Sequence, residues 1–130
     1  MHILPQEIEV WYIIPAIRRD ITKILVKDYG ISYDKVGNIL GISKAAVSQY
    51  LNNKRAAKIK LHEKAFEEIK KSCKKIIDRK SDSTKEIQRL LEVIRKKHWH
   101  CKKCGKLIGA ELHDCEDLPY MPVLVKVKRQ

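Results

Sequence analysis

Two groups of residues in this chain have types and spacings that can do chemistry. The first is a set of thiols near the C-terminus. Cys101 and Cys104 form a CxxCG knuckle within HWHCKKCGKLIG, and Cys115 follows in HDCEDLP. Two residues between thiols let both sulfurs reach one metal, and Gly105 permits the turn. Ten residues separate Cys104 from Cys115, enough for a short hairpin that returns the third thiol. So few apolar residues cannot fold this stretch alone, so bound metal is expected to fold it. Arg95, Lys96, Lys97, Lys102, Lys103 and Lys106 precede any acid, the first being Glu111. Cations this near in sequence are expected to favour the thiolate form that binds metal. Zinc would complete Cys3His with His113 or His100. An iron–sulfur cluster is held by thiolates and can sit with three, and a Pro soon after a Cys, as Pro119 follows Cys115, also occurs in cluster proteins. No second CxxC completes a zinc ribbon. With a cluster, the nearby histidines become hydrogen-bond donors to sulfur or surface groups. The fourth cysteine, Cys73, falls on a helical apolar stripe and reads as a small buried hydrophobe.

The second group is Lys44, Ala45, Ser48 and Gln49, with Asn52, Asn53, Lys54 and Arg55 after them. The first four fall on the outer face of a short helix, in its first turns. Such side chains suit base edges in the major groove: Gln pairs bidentately with adenine, Ser donates or accepts, and an Ala methyl meets a thymine methyl. The polar and basic exit suits phosphates. With Ser43 at the start of the helix, the expected DNA-binding set is Ser43, Lys44, Ala45, Ser48, Gln49, Asn52, Lys54 and Arg55.

The elements that position this set lie in ISYDKVGNILGISKAAVSQYL, residues 31–51. Val36, Ile39 and Leu40 are apolar at helical spacing. Gly41 stands where a left-handed residue ends that helix. Ile42 plugs the gap between two helices, and Ser43 is an N-cap for the second. Ala46, Val47, Tyr50 and Leu51 form the inner face. Gly37 has almost no side chain, so the second helix is expected to cross close over the first. Together these are the signature of a helix-turn-helix.

The segment ISYDKVGNILGISKAAVSQYLNNKR resembles the helix-turn-helix of the Cro/C1 (XRE) class of regulators. With VWYIIPAIRRDITKILVKDYGIS ahead of it and the cysteine cluster after it, the chain resembles predicted archaeal transcriptional regulators of that class. The resemblance covers most of the chain and is strongest over residues 10–55. Tyr33 and Asp34 depart from it, since such proteins often open this helix with Gln and a small or charged residue. The resemblance implies an XRE-like helical domain, sequence-specific binding of double-stranded DNA as a homodimer, and a cysteine-held cofactor. It also tips the choice for Cys101, Cys104 and Cys115 toward an iron–sulfur cluster, with zinc as the alternative.

The whole-chain properties agree. At 130 residues the chain fits one domain plus an appendage. A net charge of +12 favours a polyanionic partner through attraction and counterion release. No run of 18 apolar residues exists, so no spanning helix is expected. The N-terminus, MHILPQEIEVWYIIP, carries Glu7 and Glu9 and does not read as a signal peptide. With CxxC and no signal, the cysteines point to a reducing, cytoplasmic location. Pro15 suits a first helical position, followed by the stripe Ile17, Ile21, Ile24 and Leu25; Arg18, Arg19 and Lys23 lie off it, and Arg18 and Arg19 read either as phosphate contacts or as part of a solvated face. Trp11 and Tyr12 are expected at the core. A helix is predicted over 61–79, with Ala65, Phe66, Ile69, Cys73, Ile76 and Ile77 as its stripe. Ser83 with Glu86 forms a capping box for another helix, whose stripe is Ile87, Leu90, Leu91 and Ile94. The tail VLVKVKR alternates like a strand.

The expected architecture is mainly α: an XRE-like helix-turn-helix domain over 1–60, a helical extension and dimerisation segment over 61–97, and a cysteine-cluster module with a basic tail over 98–130. No catalytic constellation stands out, so a transcriptional regulator responsive to redox or to its iron–sulfur cluster is expected rather than an enzyme, the alternative being a zinc-stabilised nucleic-acid-binding adaptor without a sensing role.

Overall fold

The computed structural model describes residues 5–55 and 60–97. The cysteine module and the basic tail predicted over 98–130 lie outside the described residues, as do Cys101, Cys104 and Cys115. The described chain is helical, with no strand. In order come α1 (Pro5–Ile8), a π-helical turn (Glu9–Ile13), α2 (Ile14–Lys27), α3 (Tyr33–Leu40), α4 (Lys44–Leu51), α5 (Glu63–Ile77) and α6 (Ser83–Lys96). Among the described residues no helix is long and apolar enough to cross a membrane.

Helix α2 is the centre of the packing. Ile17, Ile21 and Leu25 are fully buried, as the stripe predicts, and so is Ile13 just before the helix. Burial of each such side chain is worth about 1.5–3 kcal/mol. Around α2 close Val36 and Leu40 of α3, Val47 of α4, Ala65, Ile69 and Cys73 of α5, and Leu90, Leu91 and Ile94 of α6. One apolar core therefore takes residues from both 1–60 and 61–97. The stripes of α5 and α6, which were candidates for self-association, are largely spent within the chain.

Helix continues through Pro15, which is the second residue of α2 and has helical residues on both sides. A proline inside a helix removes one N–H and crowds the carbonyl four residues earlier, here Trp11. The π turn just before it widens the coil where that conflict falls. Glu9 in this turn is buried, and Arg95 near the end of α6 grips it with two bonds, Nε to Oε2 at 2.6 Å and Nη2 to Oε1 at 2.7 Å. Tyr12 joins the core, while Trp11 is half-buried and meets the Tyr12 ring edge-on at 6.5 Å.

Two details differ from the sequence reading. Asp82, rather than Ser83, caps α6, its Oδ1 accepting from Lys85 N–H at 2.8 Å. Ser83 Oγ instead donates to the Ile39 carbonyl at 2.7 Å, tying α6 to the end of α3. Glu86 accepts from Ser72 Oγ at 2.7 Å and from Arg89 Nε at 3.1 Å, and Ser81 just before the cap also hydrogen-bonds it, while Arg89 reaches Glu68 Oε1 at 2.9 Å and Ser72 Oγ at 2.7 Å as well. Arg19 is the second difference. It is buried with its Nε on Asp20 Oδ1 at 2.8 Å, so it does not belong to a solvated face.

Candidate nucleic-acid interface

The unit formed by α3, a short turn and α4 is built from local rules. Ser32 caps α3, its Oγ accepting from Lys35 N–H at 3.3 Å. Gly41 ends α3 with φ at 69°, in the left-handed region that favours glycine. The N–H groups of Gly41 and Ile42 both turn back to the Gly37 carbonyl, the latter at 2.9 Å. Ser43 then caps α4 as predicted, its Oγ accepting from Ala46 N–H at 3.0 Å. Gly37 is confirmed as a close approach, with a different neighbour. A Cβ there would stand 2.7 Å from the Ile42 carbonyl oxygen in the turn.

These constraints fix which face of α4 looks out. Ala46, Val47 and Tyr50 are buried against the core side, and Leu51 is half-buried. Lys44, Ala45 and Asn52 are exposed and Ser48 and Gln49 half-exposed, so the expected reading set shares one side. Ser48 accepts from Asn52 Nδ2 at 3.2 Å, which holds both side chains in register while leaving the serine proton to donate. Gln49 makes no side-chain hydrogen bond among the described residues, so both ends of its amide are available. Lys44 lies 3.9 Å from Asp34 at the start of α3, a solvated and weak pair.

The exit from α4 is also held. Asn53 is left-handed at φ 57°, a conformation Asn tolerates better than most residues, and Lys54 N–H closes onto the Gln49 carbonyl at 2.8 Å. Lys23 of α2 donates to Asn53 Oδ1 at 2.7 Å. Partial burial, helped by Arg19 and Lys27, holds the Lys23 ammonium below its ordinary pKa. Arg55 lies over the Tyr50 ring at 5.6 Å, and the Lys54 and Arg55 side chains stay exposed. The sequence reading missed the Lys23–Asn53 clamp, because no periodicity links two residues 30 apart.

All eight predicted DNA-binding residues are described, and they fall on α4, its cap and its exit. The three predicted metal ligands are not among the described residues, and within those residues no group of three His, Cys, Asp or Glu could hold a metal. Cys73 is fully buried, and desolvation pushes its thiol up to about 12. It is therefore an inert core thiol and not a thiolate ligand. No family model, curated protein or solved structure matches the chain.

Proposed function

We propose that the chain is a sequence-specific transcriptional regulator that binds double-stranded DNA through a helix-turn-helix of the XRE, Cro/C1-like type. The observation that carries this reading is the capped pair α3 and α4, whose outer side offers Lys44, Ala45, Ser48 and Gln49 while Ala46, Val47 and Tyr50 anchor the helix. In this arrangement α4 is the recognition helix. Gln49 and Ser48 read base edges, and Lys54 and Arg55 take the phosphates. The protein acts in the cytoplasm as a homodimer on a pseudo-palindromic operator, because one short helix reaches only a few base pairs. With Ile69, Ile76, Leu91 and Ile94 buried inside the chain, exposed Val10 and half-buried Trp11 offer a surface for self-association among the described residues.

Cys101, Cys104 and Cys115 hold an iron–sulfur cluster in this reading, on the strength of their spacing and cationic surroundings. When bound, that group supplies a charge state that responds to redox or to ligands. Lys102, Lys103 and Lys106 offset its negative charge, and the C-terminal module passes its state on by altering the spacing of the two recognition helices.

The test is selection of bound sequences from a random DNA pool, followed by two variants. Gln49→Ala is expected to relax preference and cost about 1–3 kcal/mol at one base position. Lys54→Ala is expected to weaken all sequences alike and reduce the salt slope by about one unit. If both variants bind selected and random DNA as the parent does, α4 is not the reader. Iron, sulfide and zinc counts on anaerobically purified protein test the cofactor. Stoichiometric zinc without iron or sulfide would reduce the module to a structural clip.

A further inference from the structure

Helix α4 ends on a side chain that closing the helix does not itself require. Asn53 is left-handed, with φ at 57°. Its N–H returns to the Tyr50 carbonyl at 3.3 Å, and the Lys54 N–H returns to the Gln49 carbonyl at 2.8 Å. Glycine most often completes this paired closure, because it takes the left-handed conformation without a Cβ clash. Glycine would bring no side chain, whereas Asn53 Oδ1 accepts from Lys23 Nζ at 2.7 Å. A hydrogen bond from an ionised donor is among the stronger kinds. Lys23 lies in α2 between buried Thr22 and Ile24, so this bond ties the end of α4 to the central helix of the core.

The two residues beyond the tie are Lys54 and Arg55, both exposed. Arg55 has a second hold, over the Tyr50 ring at 5.6 Å. The Lys54 backbone is fixed through the turn that Asn53 closes. The surroundings do not make Lys23 an anion site in its own right. The cavity wall it shares with Arg19, Lys60 and Lys64 also carries Asp20, Glu63 and Glu67. Asp20 is paired with Arg19 at 2.8 Å, and Glu67 lies 3.5 Å from Lys70. Charge along that wall nearly balances, so what Lys23 offers α4 is its bond to Asn53 more than its field.

We infer that Lys23 is a positioning residue for DNA binding: through Asn53 it sets the turn that aims Lys54 and Arg55 at the phosphates. This rests on the DNA-binding reading above. Cations held in place before contact lose less freedom on binding than cations on a frayed helix end. Phosphate contacts carry no sequence information directly. The clamp therefore raises affinity for any sequence and leaves base choice to α4.

The experiment uses the full chain, with affinity measured across a salt series on selected and on random DNA and stability followed by thermal melting. Asn53→Gly is the informative variant, because it removes the acceptor, keeps every charge and suits the left-handed backbone. It is expected to melt close to the parent and to bind both DNAs about 2- to 10-fold more weakly. Lys23→Met is expected to weaken binding to both DNAs as well. The double variant is expected to bind no more weakly than the weaker single variant, because the same bond is lost in all three. Backbone hydrogen exchange at Lys54, measured without DNA, is expected to quicken in Lys23→Met. Additive losses in the double variant would mean that Lys23 and Asn53 act separately, and would refute the clamp. Parent-like binding by Asn53→Gly, beside a Lys23→Met variant that loses about one unit of salt slope, would make Lys23 a phosphate contact instead and also refute it. If both single variants bind as the parent does while Gln49→Ala still relaxes base preference, the positioning role is refuted and the recognition helix stands. The absence of any DNA binding by the parent protein would overturn both.

Discussion

Gly37 and Gly41 lie four residues apart and are constrained for opposite reasons. Gly41 is left-handed but has open space where a Cβ would go, so Gly41→Ala meets only backbone strain of about 1–2 kcal/mol. Gly37 has ordinary helical geometry, but a Cβ would press on the Ile42 carbonyl at 2.7 Å. That oxygen belongs to the backbone of the turn and cannot swing aside. Alanine's better helix propensity returns about 1 kcal/mol, and overpacking costs about 1–3 kcal/mol and at times more. Gly37→Ala is therefore expected to destabilise by about 1–2 kcal/mol in urea unfolding and to splay α4, so that operator affinity falls further than stability does. At the same scale, Cys73 is expected to resist alkylation in the native protein at mildly alkaline pH and to react once denaturant is added. Peptide mapping distinguishes it from the other three thiols.

The pairing of α5 with α6 rests on charge as well as on apolar contact. Burial pushes the Glu86 carboxyl up, but hydrogen bonds from Ser72, Ser81 and Arg89 outweigh it and hold the pKa below the ordinary 4.5. The Arg89 hydrogen bond likewise holds Glu68 below that value. A carboxylate with a depressed folded pKa stabilises fully above its unfolded pKa and loses that contribution as pH falls through the folded value. Stability from this network is therefore expected to be flat near neutrality and to decline in acid below about pH 4.5. Arg89→Ala leaves buried Glu86 without its cation and is expected to cost about 2–4 kcal/mol at neutral pH, a gap that narrows in acid. A urea titration of both proteins across pH checks it; a gap independent of pH would refute the role of charge. This network was not legible in the sequence. Ser83 and Glu86 have capping-box spacing, and local spacing cannot show that Ser83 is claimed by the Ile39 carbonyl 44 residues away. The stripes, Gly41 and Ser43 were legible because they obey rules acting within one turn. Arg19 was not, since its partner Asp20 is its neighbour and the two are buried together against the periodicity. The π turn was missed because Pro15 marks a helix start in sequence and here lies within a continuing helix.

Over the described residues, stripes from α2 to α6 all feed one apolar core. Replacing Cys101, Cys104 or Cys115 by Ser is therefore expected to abolish cluster colour with little loss of helical circular dichroism, whereas Cys73→Ser keeps the colour. Large helical loss in the first three variants would mean that the core depends on the module. If the cluster regulates binding, operator affinity is expected to differ between loaded and unloaded protein by about 1–3 kcal/mol, the usual range for coupled sites.

The Glu9–Arg95 clasp joins residues 86 apart, near the two ends of the described helical chain. Ends held that close need only a short bridge, so chain order and spatial order become separable. A circular permutant joined across 97 and 5 and opened between Arg55 and Lys60 is expected to keep the helical core. In that molecule the clasp becomes a contact between neighbours in the chain.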